Sequence, residues 1–292
     1  MHVVLHNQLY SIIVITMCSL AFGKIHAQTL DIPRASPNAS VSQHIGVCEV
    51  TISYCRPSAR GRTIFGGLVP YDKVWRAGAN EATTIKFSHD VLINNQPLAA
   101  GKYGLFFMPR ADGDWTMILN KNWNQWGAYL YDPELDVLRT ITKRERLSES
   151  TNLLTYAFSN VTKSEATLQL QWSDCQIRIP ITTDTHLQTL SMIDQAVNDS
   201  RKNWYIYSAA AQYHWYEHRQ ADPALKYINV AIALEAPNPA PWMLKSQILA
   251  SQSKYDKAIA VAREAILVCK NHNFPFEIHE NENNIDLWKK QQ

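Results

Sequence analysis

The 292-residue sequence is long enough for two domains and ordinary in composition, with 46% hydrophobic and 18% charged residues. A formal net charge of +2 supplies no global field for nucleic acid or an anionic membrane surface, so neither is expected as a partner. The five cysteines show no Cys-x-x-Cys or Cys/His spacing, so no zinc site and no cofactor is expected.

At the N-terminus, Leu9 to Phe22 is apolar apart from Ser and Thr and too short to span a bilayer comfortably. A small-residue cleavage site ends at Ala27. Residues 1–27 therefore read as a signal peptide, although no Lys or Arg precedes the apolar run; an uncleaved anchor is the alternative. The mature chain is expected to be periplasmic or extracellular and to carry no membrane span. Cys48, Cys55, Cys175 and Cys269 would then stand in an oxidising compartment. Cys48 and Cys55 lie seven apart on one predicted strand, on opposite faces and ~23 Å apart at ~3.3 Å per residue, so they cannot pair. Cys269 falls on the apolar face of a predicted helix as a buried thiol.

Residues 28–45 are polar, carry two prolines and read as an extended lead-in. Over 46–182 short extended segments follow one another. Cys48, Val50, Ile52 and Tyr54 alternate with polar neighbours. Further strands are expected at Ala82–Ser88, Val91–Asn94, Gly101–Met108, Trp115–Asn120, Trp126–Tyr131, Asp136–Thr142, Leu153–Phe158, Ala166–Trp172 and Cys175–Ile181. Asn94-Asn95, Asp112-Gly113-Asp114, Asp132-Pro133 and Ser173-Asp174 supply turns between them. This spacing predicts an antiparallel all-β sandwich or barrel. After Pro180 the period changes. Leu187, Leu190, Ile193 and Val197 predict an amphipathic helix from about Asp184, and 184–270 reads as an α-helical region. Within it Ala224, Leu225, Ile228, Ala231 and Ile232 recur as Ala258, Ile259, Ala262, Ala265 and Ile266 at an offset of 34. That is the tetratricopeptide period, so two degenerate repeats of that kind are expected, with a surface for a protein or peptide partner. Residues 271–292 read as a polar tail, either a loose cap or a disordered end.

Four runs carry a resemblance: SPNASVSQHIG, YCRPSARGRTIFGGLVPYDKVWRAGANEATTI, LAAGKYGLFFMP and NKNWNQWGAYLY. Through them the region from about Ser36 to Ile181 resembles a secreted bacterial family known only as a domain of unknown function, numbered 2911. The resemblance implies export and a β-rich fold, and it brings no known reaction. The family pattern has Ser where Cys55 stands and Thr where Ala77 stands, so Cys55 is not read as a nucleophile.

Three constellations could carry a ligand. The first is the basic set Arg56, Arg60, Arg62, Lys73 and Arg76 around Gly66-Gly67, suited to an anion through bidentate forks and backbone N–H groups. The competing reading is structural, with these arginines pinning a long loop to carbonyls, Glu49 and Glu81. The second is Arg76, Asn80 and Glu81, which can orient a small polar ligand or form a buried Arg76–Glu81 pair. The third is Lys121, Trp123, Asn124 and Trp126, flat apolar faces among amides, which is the chemistry of carbohydrate binding or of a hairpin capping the core. A further run, His214-Trp215-Tyr216-Glu217-His218, spells an inverted zinc-protease signature, but its repeat-like helical surroundings and the lack of a third ligand argue against that role. The sequence is best read as an exported binding or scaffolding protein with a small anionic or carbohydrate ligand. The alternative is an envelope hydrolase acting on a glycan or ester, with Glu81 as general base and Arg76 or Lys121 holding charge.

Overall fold

The computed structural model describes residues 32–292, so the signal peptide expected at 1–27 lies outside the described residues. Ten strands follow: β1 (Asn38–Ile45), β2 (Cys48–Cys55), β3 (Thr84–Phe87), β4 (Val91–Ile93), β5 (Gln96–Leu98), β6 (Gly101–Met108), β7 (Trp115–Asn120), β8 (Asp136–Thr142), β9 (Arg144–Ser159) and β10 (Glu165–Thr182). They form two antiparallel sheets, ordered β1-β2-β3-β6-β7-β8 and β5-β4-β10-β9. The expected β-then-α architecture is present.

Period-two patterning builds the core between the sheets. Val50, Ile52, Ile85, Phe87, Leu105, Phe107, Trp115 and Met117 point inward from the larger sheet. Leu168, Leu170, Trp172, Ile177 and Ile179 meet them from β10. The outer face of the larger sheet is not left to water. Phe106 and Ile118 lie on it fully buried, covered by Val74, Ala82, Ala128 and Tyr131 from two long loops. These loops, roughly 56–83 and 121–135, also build the candidate site.

Several elements depart from their expected form. The lead-in ends as β1, because Ala39 and Val41 alternate inward and pack on the core. Trp126–Tyr131 is a turn rather than a strand: Gly127 takes a φ of +67°, and only Glu81 and Trp126 pair as an isolated bridge. Ser173-Asp174 does not end a strand. Ser173 (φ +55°) forms a bulge inside one continuous β10, with a register shift against β9 on either side. The outer reach of β9 carries Arg144, Glu145, Arg146 and Glu149, charges that protect an edge strand from further pairing.

Six α-helices follow: α1 (Thr185–Asp199), α2 (Trp204–Gln212), α3 (Ala221–Ala233), α4 (Ala240–Ser251), α5 (Tyr255–His272) and α6 (Pro275–Lys289). Asp184 caps α1, accepting from the Leu187 N–H at 2.9 Å. A π-helical turn, Tyr213–Glu217, joins α2 to the loop before α3. Successive helices pack on one another, α2 on α3, α4 on α5 and α5 on α6. Of the residues related by the 34-residue offset, Ala224, Ile228 and Ala231 on α3 and Ala258, Ala262 and Ala265 on α5 are fully buried, while Leu225, Ile232 and Ile266 are partly so. The polar tail is helical. Ile285 and Trp288, three apart, bury one stripe of α6 against the cluster around α5, and Asn281 one turn before is buried too, while most of its other polar residues face water. No helix of the described residues is long and apolar enough to cross a membrane.

Candidate functional site

A cleft of about 540 Å³ opens on the outer face of the larger sheet. Its floor is set by strand register: Ser40 of β1 stands opposite Ser53 of β2, and Ser53 opposite Thr84 of β3. Three hydroxyl side chains therefore form one row. One wall is Lys102, Trp123, Asn124 and Gln125; the other is Asn38, Cys55 and Glu81. Lys102 Nζ lies 3.8 Å from the Trp123 ring centroid, a cation–π contact that fixes the indole. Trp123 is 37% exposed, and Trp126 and Tyr129 nearby in sequence are 57% and 84% exposed.

Glu81 does not pair with Arg76. Between them Ala77 (φ +56°) and Asn80 (φ +55°) turn the chain twice, which sends Glu81 to the cleft and Arg76 to a second hollow. The partner of Glu81 is Arg34, whose Nη1 donates to both carboxylate oxygens at 2.8 and 2.9 Å. The lead-in is held across the loop at further points. Asn80 Nδ2 donates to Ser36 O at 3.3 Å, and the Arg56 N–H donates to Pro37 O at 2.8 Å. The Cys55 thiol lies 2.9 Å from Asn38 Oδ1 and 3.2 Å from Glu81 Oε2.

The electrostatics decide what Glu81 and Cys55 can do. The hydrogen bond from Arg34 holds Glu81 below the usual carboxylate range. Burial, and then the hydrogen bond to Glu81, push the Cys55 thiol up. The proton therefore stays on sulfur, and Cys55 serves as a donor rather than a nucleophile. Glu81 is the one carboxylate among the described residues lining the cleft, so the paired carboxylates of glycoside hydrolysis are not assembled there.

Because the folded-state value of Glu81 is depressed, its contribution to stability is complete above the ordinary carboxylate value. It is lost as the pH falls through the lower, folded one. Thermal unfolding should show no dependence from this group above about pH 5 and a decline below about pH 4. Arg34→Gln should remove that acid limb. Both residues are exposed, so the effect is expected to be small and to shrink with salt.

The family described as protein of unknown function, DUF2911, matches residues 36–181. The chain belongs to this family. The match takes in every strand from β1 to all but the last residue of β10, and with them every residue lining the cleft; Arg34, the partner of Glu81, lies outside it. No curated protein and no solved structure matches the chain.

Within the DUF2911 domain the residues singled out from sequence separate into groups. Glu81, Trp123 and Asn124 share the cleft, with Asn80 beside it holding the lead-in. Arg62 and Arg76 share the second hollow. Arg56 is committed to β9, donating to Leu154 O at 2.9 Å and Thr155 Oγ1 at 2.8 Å. Arg60, Lys73, Lys121 and Trp126 line neither hollow. The sequence reading missed Arg34, Asn38, Cys55 and Lys102. The one signal for Cys55 is local: it breaks the alternation of β2, being buried on the face where Ser53 and Thr51 are not.

Outside this domain His214, Glu217 and His218 go separate ways. His214 Nδ1 meets Gln220 Oε1 at 2.8 Å, His218 Nε2 meets the Tyr213 hydroxyl at 3.1 Å, and Glu217 pairs with Lys163. The π-helical turn breaks the i, i+4 geometry that the inverted zinc-protease signature requires.

Proposed function

We propose that the chain is an exported binding protein whose sandwich cleft takes a hydroxyl-rich ligand of carbohydrate type. The observation that carries this reading is the Trp123 indole, braced by Lys102 beside Asn124 and Gln125, above the row Ser40–Ser53–Thr84. A flat apolar face suits a sugar ring, and the Asn124 amide and the hydroxyl row suit its hydroxyl groups; the Gln125 amide is spent on Asn122 O and the Leu130 N–H and shapes the wall. The volume fits a mono- or disaccharide unit better than a macromolecular surface. Export is supported by the apolar run at Leu9 to Phe22 and the small residues before Gln28. The helical region is the partner-binding half, with exposed Leu267 and Phe276 as apolar contacts.

An array of neutral, amino and acidic oligosaccharides tests the cleft. The full chain should retain at least one class. Trp123→Ala should weaken that binding by about 30-fold, the scale of losing an aromatic anchor worth about 2 kcal/mol, while leaving the melting temperature unchanged. Retention of nothing on the array, or equal binding by the variant, would remove the carbohydrate reading.

A further inference from the structure

We propose that the second hollow, lined in part by Ser36 of the lead-in, binds a small oxyanion: phosphate, sulfate or a short carboxylate. This site is independent of the carbohydrate reading and of Trp123. The hollow measures about 230 Å³ and is lined by Ser36, Arg62, Trp75, Arg76 and Trp172, among others. No carboxylate lines it, and among the described residues none pairs with Arg62 or Arg76.

Arg76 carries the argument. Its Nε is shielded from solvent and has no hydrogen-bond partner. A guanidinium cannot escape this by giving up its proton at neutral pH, although burial lowers its affinity for that proton. Arg76 as a whole is only partly buried, so the cost falls on Nε, a buried donor without an acceptor; the guanidinium's planar N–H edges are what an oxyanion satisfies bidentately. An unmet donor of this kind points to a partner such as an ion.

Arg62 adds a second, pre-oriented donor. Its Nε donates to Ala59 O at 3.0 Å and its Nη2 to Ser58 O at 2.8 Å. These bonds lock the fork and leave Nη1 to serve a ligand, with little entropy left to lose. The two indoles cannot compete for the anion. Trp75 Nε1 donates to Gly78 O and Trp172 Nε1 to Asn152 O, each at 3.2 Å. Their rings stack, with centroids 5.9 Å apart at 21°, and form an apolar wall that strengthens charge interactions beside it. Ser36 supplies a hydroxyl from the lead-in. The volume falls below the roughly 300–1,000 Å³ of pockets for drug-sized ligands, which selects an inorganic oxyanion or short carboxylate over a nucleotide.

The test uses the full chain in inorganic phosphate, sulfate or acetate, each against chloride at matched ionic strength. At about a hundredfold excess over its Kd, the recognised anion should raise the melting temperature by about 5 °C. The anion giving the largest rise names the ligand class. Arg76→Met should cut that rise to about a third or less, weakening the anion by about 30-fold or more in calorimetric titration. It should also melt no lower than the parent in chloride, because it keeps the packed stem and removes the unmet Nε donor. An arginine with only a structural role would lower that melting temperature. Should Arg76→Met fail to fold, Arg62→Gln carries the test, with a loss of about tenfold. Equal melting in all three anions and chloride would overturn the proposal, as would a rise undiminished in both variants. Trp123→Ala should leave the anion effect intact, so failure of the cleft reading and failure of this one are separable.

Discussion

Trp172→Ala is expected to destabilise the sandwich by about 3–5 kcal/mol, the cost of truncating a fully buried aromatic side chain. Trp172 is 1% exposed and sits on β10, an interior strand of the smaller sheet. It reaches across the core to stack on Trp75 and meets Phe65 edge-on at 6.1 Å. Both partners belong to the long loop between β2 and β3, so one side chain holds two sheets and their most elaborate connection together. The substitution also strips the Asn152 carbonyl of its indole donor, a further loss of about 1 kcal/mol. The check is denaturant unfolding followed by near-ultraviolet circular dichroism, where the midpoint should fall at unchanged slope. Trp172→Phe keeps most of the ring and should recover more than half of the loss. A loss under about 1.5 kcal/mol for the alanine variant would mean that the loop is held by something other than this stack.

The strands were legible where local pattern and tertiary demand agree. Expected and observed limits coincide for β6, β7 and β8, because turn residues bound each short run of strand-favouring residues; only β8 alternates cleanly, while β6 and β7 are buried on both faces. Legibility failed where one backbone angle overrides the pattern. Gly127 turns a stretch that alternates like a strand, and Ser173 adopts a left-handed conformation within a strand rather than after one. Of the site, Trp123 and Glu81 stood out through their neighbours in sequence, an indole among amides and a carboxylate close to Arg76 and Asn80. Ser40, Ser53 and Thr84 did not, since each is an ordinary outward polar residue. Only antiparallel register brings the three together. The same limit explains the mistaken pairing of Arg76 with Glu81. Five positions apart, they look like natural partners, yet two left-handed residues between them aim one into each hollow. The partner that Glu81 does have, Arg34, lies 47 positions away, where no short-range rule reaches.

Gly46→Val should destabilise the protein by about 3–5 kcal/mol, and the damage should centre on the seat of the helical region. Gly46 forms the turn between β1 and β2 at a φ of +57°. A β-branched residue in that left-handed conformation costs about 1–3 kcal/mol. There is also no room for it. An added Cβ would overlap Thr185 Oγ1 and lie 2.5 Å from Thr185 Cγ2 and 2.6 Å from the Lys163 carbonyl oxygen. Thr185 is the first residue of α1, and its hydroxyl donates to Lys163 O at 2.6 Å while meeting Thr183 Oγ1 at 2.9 Å. Relief requires moving the backbone of the β9–β10 loop or breaking this network, at about 1–3 kcal/mol for overpacking. Lys163 also pairs with Glu217 beyond α2, so displacement would be felt in the helices. The two contributions can be separated. In a Thr185→Ala background, Gly46→Ala should cost at least 1 kcal/mol less than in the parent, a coupling expected of residues in direct contact. Strict additivity would assign the effect to backbone strain and the Lys163 carbonyl, and none to the Thr185 side chain. Hydrogen exchange should then show the first turn of α1 as protected in Gly46→Val as in the parent, whereas the steric account requires that turn to open first.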